Sequence, residues 1–322
     1  MNSFKDYTSR LIIQKEGSVI HRIITSVKDA IPSAIKTSLW FLKITIPISF
    51  TVTLLYHFGI LNIISELLSP AFGLIGLRGE AALVYITSAF LNVYSAIAVI
   101  TSLNFTIREM TILAIMSLIA HNLIVETAVQ KKTGSKVWHI VSLRIISSFV
   151  AAMLLNYMLP LQMGLSNLGL HQIVNPTLKE VLMSWTISSL KLSLKIVILI
   201  TLLMILQKIL LEFKVTILLT RIFSPLLRVM GLPESVSLMW IAANLLGLAY
   251  GSAIMIEEVE SGRIAKQDAD LLNYHIAVSH SNFEDLLLFA AIGVSAWWLL
   301  LPRLGIAIVV VWVRRLYLSI SK

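Results

Sequence analysis

Two stretches of the chain repeat one another, and both set polar residues inside apolar runs long enough to cross a bilayer. The first reads SPAFGLIGLRGEAALVYITSAFLNVYSAIAVI from Ser69 and resumes as AHNLIVET from Ala120. The second reads SPLLRVMGLPESVSLMWIAANLLGLAYGSAIMI from Ser224 and resumes as SHSNFED from Ser279. Ser69-Pro70 matches Ser224-Pro225, and Gly76-Leu77 matches Gly231-Leu232, both at an offset of 155 (224 − 69; 231 − 76). Tyr94 meets Tyr250 at 156 and His121 meets His280 at 159, the slip falling on a longer polar loop from Glu257 to Lys266. A duplicated membrane protein with matched polar residues in its two halves is a common plan of secondary transporters.

Composition supports the membrane reading. Of 322 residues 57% are hydrophobic and only 13% charged, too few to give a soluble chain of this size a polar surface. The apolar runs have helical length and lack the ten-residue alternation of an outer-membrane barrel. With no cysteine, disulfides, thiolate metal sites and iron–sulfur clusters are excluded. The net charge of +9 reads as Lys and Arg gathered at cytoplasmic segment ends against anionic lipid, so no nucleic-acid partner is expected. The polar, basic N-terminus, MNSFKDYTSRLIIQKEGSVIHR, does not resemble a cleavable signal peptide.

The expected organisation has four parts. Residues 1–36 form a cytoplasmic amphipathic lead-in, with Lys15, Arg22, Lys28 and Lys36 among Ile and Val. A first repeat covers 37–160, with segments near 37–57, 59–75, 80–101, 106–129 and 138–159. Residues 161–190 form an extracytoplasmic linker and a second amphipathic helix near 172–190. The second repeat, 191–322, has segments near 191–212, 216–231, 234–256, 267–291 and 294–318. The segments 59–75 and 216–231 are short and carry Pro70 and Pro225, the mark of broken or re-entrant helices. Five crossings per half put Lys131-Lys132 and Arg314-Arg315 on the side of the basic N-terminus. The linker from Leu161 to Thr177, which has no Lys or Arg, then falls on the other side. An odd count inverts the second copy. The expectation is an all-α membrane protein of about ten transmembrane or re-entrant helices in two inverted five-helix repeats. It would sit in a bacterial cytoplasmic membrane, multi-pass, with both termini inside.

An ionisable group at bilayer depth costs about 2.5–3.5 kcal/mol on insertion scales, so each one is a functional candidate. The principal set is His121, Asn122 and Glu126 in one half, with His280, Asn282, Glu284 and Asp285 in the other. Histidine can donate, titrate near neutrality or ligate a metal, and carboxylates can bind or carry a proton or sodium ion. His121 and Glu126 are five residues apart, so they converge only if the helix is unwound between them. The competing reading puts these groups at headgroup depth as ordinary helix ends. A second set on the preceding helices is Asn92, Tyr94 and Ser95 against Asn244, Gly247, Tyr250, Gly251 and Ser252, where Gly and Ser also serve close packing. Arg144 and Arg303 could pair with the carboxylates but read first as snorkelling side chains, and His275 as a neighbour of the His280 cluster. His21, His57, His139 and His171 read as interfacial, with Trp297-Trp298 and Tyr317 as belt anchors. Phosphate-binding glycine motifs, nucleophile elbows and HExxH are all missing, so no enzymatic activity is expected.

On the repeated SP…GL helices, AFLNVYSAI and AHNLIVETAVQKKTG, the chain resembles the Gate-domain, or nucleoside-recognition, membrane proteins over residues 37–159 and 191–318. That family is related in fold to concentrative nucleoside transporters and to the membrane part of ferrous-iron permeases. The permeases carry Cys-Asn-Val-Pro-Ala-Ile where this chain has Leu91-Asn92-Val93-Tyr94-Ser95-Ala96-Ile97, so the cysteine and proline are absent. The resemblance implies a secondary transporter of a small polar or ionic solute, nucleoside-like or a cation, with the site between the repeats. Asn92, Asn122, Asn244 and Asn282 would bind the solute, with Tyr94, Ser95, Tyr250 and Ser252 around it. Glu126, Glu284 and Asp285 would couple H+ or Na+, and no cofactor is expected beyond such ions. The alternatives are a divalent metal transporter using His121, Glu126, His280 and Glu284, or a non-transporting assembly or sensor protein. The partners expected are the lipid bilayer and the solute, with a second copy of the chain as a further candidate.

Overall fold

A computed structural model describes residues 18–164, 177–245 and 247–320, and all regular structure among them is helical. The first half contains α1 (Val19–His57), α2 (Ile60–Gly73), α3 (Ala81–Phe90), α4 (Val93–Ser102), α5 (Ile107–Ala120), α6 (Leu123–Lys132) and α7 (Val137–Met158). The second contains α8 (Leu178–Glu212), α9 (Val215–Val229), α10 (Ser237–Leu245), α11 (Gly247–Glu260), α12 (Lys266–Val278), α13 (Glu284–Ala290) and α14 (Ala296–Ile320).

Side-chain caps set several of the helix starts. Thr106 with Glu109 and Thr177 with Glu180 form capping boxes at α5 and α8, and Ser18 accepts from the His21 amide at α1. The stripe Ser26, Ala30, Ala34, Ser38, Thr45, Ser49 and Val52 is buried along α1, small residues that let α8 approach closely. The two helices run antiparallel: Arg22 Nε donates to Glu212 Oε1 at 2.9 Å, and Trp185 Nε1 donates to Ser49 Oγ at 3.1 Å. Pro32 stands inside α1 four residues before position 36 without ending it, and no proline or glycine stands near 190–191, so α1 and α8 run unbroken through both boundaries. This corrects the expected division into separate amphipathic segments, 1–36 and 172–190, and following spans. Residues 1–17 and 165–176 lie outside the described residues, as do the call on His171 and most of the linker.

Five helical stretches are long and apolar enough to cross a bilayer: α1, α5 with α6, α7, α8 and α14. Their outward faces are apolar, as at Ile146 and Met153 on α7, Leu194, Ile198 and Leu202 on α8, and Val309 and Val313 on α14. Such faces belong in lipid. Exposed Trp297 and Tyr317 stand 20 residues apart on α14 (317 − 297), about 30 Å at 1.5 Å per residue, matching a hydrocarbon core. Helices α2 and α9 pass through Pro70 and Pro225 without a break but are short, about 21 and 22 Å at the same rise.

Four expected spans are each split into two half-helices. The breaks fall at Leu91-Asn92, at His121-Asn122, before Gly247 (φ 77°), and across Ser279–Phe283. An apolar core that includes Ile97, Ile100, Ile112, Leu113 and Ile115 packs α4 and α5, and Met239, Met255, Leu271 and Leu272 pack α10 to α12. At one end of the molecule Asp270 accepts from Ser135 Oγ and from Arg314 Nε, so the α6–α7 turn and the last turns of α14 lie together.

Candidate site at the paired helix breaks

The two halves build one local structure twice, at a constant offset of 159. Helix α5 ends at His121, whose Nδ1 lies 3.0 Å from the Ser117 carbonyl, and α12 ends before His280, whose Nδ1 lies 2.6 Å from the Ile276 carbonyl. Extended His121 (ψ 156°) and Ser279 (ψ 97°) end the two helices, and Asn122 (φ 49°) and Ser281 (φ 47°) then take the left-handed conformation that turns the chain into the next half-helix. Each turn is tied to the half-helix that leads into the other break of its half, α3 or α10. The Asn122 amide donates to the Ser88 carbonyl and the Ser281 amide to that of Ala243, both at 3.0 Å, with these two carbonyls 155 residues apart (243 − 88). The next half-helix opens on a carboxylate. Glu126 and Asp285 correspond (285 − 126 = 159), and their amides donate to the Asn122 and Ser281 carbonyls at 3.1 and 3.0 Å.

An arginine clamps each break. Arg144 Nε and Nη2 donate to the Ile119 and His121 carbonyls, both at 2.7 Å. Arg303, 159 residues later, uses Nε on Val278 at 3.2 Å and Nη2 on His280 at 2.8 Å. Its Nη2 also reaches the Leu118 carbonyl across the halves at 3.4 Å. Both arginines are fully buried, which corrects the expectation that they snorkel to an interface. They supply donors to the carbonyls that a broken helix leaves unpaired.

The two imidazoles meet with ring centroids 5.1 Å apart. Glu126 Oε1 lies 3.0 Å from His121 Nε2 and 3.3 Å from His280 Nε2, while Arg144 Nη2 holds Glu126 Oε2 at 2.7 Å. Asp285 Oδ2 is 3.9 Å from His121 Nε2. His121, Glu126 and His280 each present one potential ligand atom, all within 4.8 Å of one another and all buried. His280 Nε2 and Asp285 Oδ2 have no hydrogen-bond partner, the 3.3 Å approach of His280 to Glu126 being out of line for one. The formal charges of Glu126 and Asp285 cancel those of Arg144 and Arg303. Several acceptor atoms converge at this electroneutral point.

The other sequence candidates divide. Glu284 leaves the histidine centre: its Oε1 accepts from Tyr94 Oη at 3.3 Å, so the converging set is His121, Glu126 and His280, with Asp285 rather than Glu284 beside it. Tyr94 stacks on Phe41 with centroids 3.5 Å apart, so both faces of its role are already engaged. Asn92 caps α4, its Oδ1 accepting from the Ser95 amide at 3.0 Å and from Ser95 Oγ at 3.2 Å. Asn244 Nδ2 donates to the Trp240 carbonyl at 2.9 Å and its Oδ1 accepts from Asn282 Nδ2 at 2.7 Å. Asn122 serves through its backbone at the α5–α6 turn. Ser252 sits on α11, and the side chain of Tyr250 lies outside those described. His275 stays apart from His280, accepting from Trp240 Nε1 at 3.3 Å.

A buried ionic centre inside a bundle with apolar outer faces is the setting in which a relative matters most. An uncharacterized membrane protein of Bacillus subtilis, YvoD, is 31% identical to this chain over 273 residues, covering 83% of the chain and 86% of YvoD. The chain belongs to the YvoD family. No family model matches it. It is a multi-pass membrane protein, as its relative and its apolar helices agree.

Proposed function

We propose that this member of the YvoD family is a secondary transporter of a small polar or ionic solute, with its site where the two sets of broken helices meet. The observation that carries the reading is the pair of matched breaks, each with a buried histidine, carboxylate and arginine at an offset of 159. Discontinuous helices at bilayer depth are tolerated where they line a site, and transporters place their sites at such breaks. In this reading the ten segments form two inverted five-helix repeats of the Gate type that rock about the fixed centre. The shared end of Lys131-Lys132 and Arg314-Arg315 faces the cytoplasm. Glu284, beside the centre and bonded to Tyr94, is the carboxylate placed to couple a proton or sodium ion.

One observation favours a second reading, an assembly or sensor protein that carries nothing. The amides of Asn244 and Asn282, two of the four expected solute ligands, are spent on partners within the chain. Flux separates the two. The purified protein in proteoliposomes is expected to take up at least one solute from a panel of nucleosides, monovalent cations and divalent cations, driven by an imposed pH or sodium gradient. No uptake of any panel member above protein-free vesicles would favour the assembly reading.

A further inference from the structure

We propose that His121, His280, Glu126 and Asp285 form a binding site for a divalent first-row cation of the zinc type, which makes that cation the cargo of the transporter proposed above. As a statement about cargo it rests on that reading. As a statement about binding it rests on the geometry.

The argument starts from tautomers. Both Nδ1 atoms face backbone carbonyls, of Ser117 and Ile276, and a carbonyl oxygen can only accept. Each Nδ1 therefore carries a hydrogen, and each neutral ring turns a bare Nε2 lone pair to the centre. There the two lone pairs meet Glu126 Oε1, another acceptor, at 3.0 and 3.3 Å. Acceptors at that separation repel unless something positive lies between them. Two protons, one on each ring, would relieve the contact at a cost of two positive charges. One divalent cation brings the same charge and also engages Asp285 Oδ2, which the protons leave without a partner.

The spacing suits a metal. Ligand atoms at about 2.1 Å from a tetrahedral ion lie about 3.4 Å from one another. Glu126 Oε1 stands 3.0 and 3.3 Å from the two Nε2 atoms, close to that value, the three ligand atoms all lie within 4.8 Å of one another, and Asp285 Oδ2 stands 3.9 Å from His121 Nε2. The surroundings also fit. Metal-bound histidines usually donate their second N–H to a carbonyl or carboxylate, which fixes the ring, and both rings here are fixed that way. Arg144 holds Glu126 Oε2 and leaves Oε1 for the ion. Two imidazoles and two carboxylates, with no sulfur, select a borderline cation such as Zn2+ or Co2+ over Cu+.

Equilibrium binding to the purified full-length protein tests this, with Zn2+ measured by calorimetry and Co2+ by its visible absorption. One ion per chain is expected, with Co2+ giving the intense bands of a four-coordinate site. His280→Gln and Asp285→Asn, both near in shape to the native residues, should each weaken binding at least about tenfold, whereas Glu234→Gln, in a solvent-open ion pair with Arg228, should leave it unchanged. His121→Gln serves as a second ligand variant should His280→Gln fail to fold. Absence of saturable binding by the folded wild type overturns the site, as does equal binding by folded His121→Gln and His280→Gln. Protonated histidines predict that outcome. The two proposals fail separately. Binding without flux leaves the site and removes transport, and nucleoside flux without metal binding does the reverse.

Discussion

At the residue scale the centre depends on two arginines that hold no position in lipid or water. Arg144 donates to two carbonyls and to Glu126, and no water can replace it at a fully buried position. Removing one member of a buried pair leaves the other charge uncompensated, so Arg144→Ala is expected to cost about 3–5 kcal/mol of stability. Arg228→Ala breaks a contact with Glu234 that is open to solvent and should cost about 0–1 kcal/mol. Denaturant unfolding of the two variants in detergent measures the contrast. Equal losses would mean that Glu126 is not held as a buried charge. The histidines and Glu126 were legible in the sequence because they recur inside apolar runs. The arginines recur too, at 303 − 144 = 159, the same offset as the histidines, and that constancy was the signal for their role. It was missed because a lone arginine in a span reads first as a snorkelling group, and only the fold shows that it faces inward. The same offset pairs Glu126 with Asp285. The expected metal set took Glu284, four residues after His280, whereas the break across Ser279–Phe283 brings Asp285 to the histidines and turns Glu284 to Tyr94.

At the scale of elements the decisive feature is the single left-handed residue at each break. Apolar periodicity identified the segments near 106–129 and 267–291 but could not show that each stops halfway, since neither break contains glycine or proline. The one legible hint was chemical: His121 and Glu126 could meet only across an unwound turn, and the turn at Asn122 is that unwinding. Asparagine tolerates the left-handed region better than serine does. Ser281→Gly is therefore expected to leave stability unchanged or raise it by up to about 1 kcal/mol, since glycine adopts φ near 50° without a Cβ clash. Ser281→Val should lower it by about 1–3 kcal/mol, because a β-branched residue is strained there. Thermal unfolding in detergent reads both. A valine variant as stable as the glycine variant would show that the break is not fixed by this residue. The same logic accounts for α1 and α8. Pro32, beside the first junction, stands within α1 without ending it, and the second junction has no proline or glycine, so a helix begun by Ser18 or Thr177 continues, and the amphipathic lead-ins become first turns of the crossing helices.

At the scale of the whole molecule, the charge pattern and the contact map agree on which ends lie together, and topology follows from that agreement. Ser135, just past Lys131-Lys132, and Arg314 both bind Asp270, so these basic segments occupy one end. The opposite end holds the start of α5 and the end of α7, where Arg108 Nη2 donates to the Asn156 carbonyl at 2.8 Å and the Ile107 amide to that of Gly164 at 3.3 Å. Positive segments are retained in the cytoplasm, so the proposed orientation puts the first end inside and the second outside. The absence of cysteine makes the native chain its own background for testing this. Lys132→Cys, Arg315→Cys and Leu161→Cys all place a thiol at an exposed position. A membrane-impermeant maleimide applied to intact cells is expected to label only Leu161→Cys, and in inverted vesicles only the other two. If Leu161→Cys and Arg315→Cys react from the same side, the chain crosses an even number of times between them, and the two halves cannot be related as inverted five-segment repeats. Opposite labelling with Lys132→Cys on the side of Leu161→Cys would break the first half instead, since α5, α6 and the centre they carry would no longer cross between the two ends.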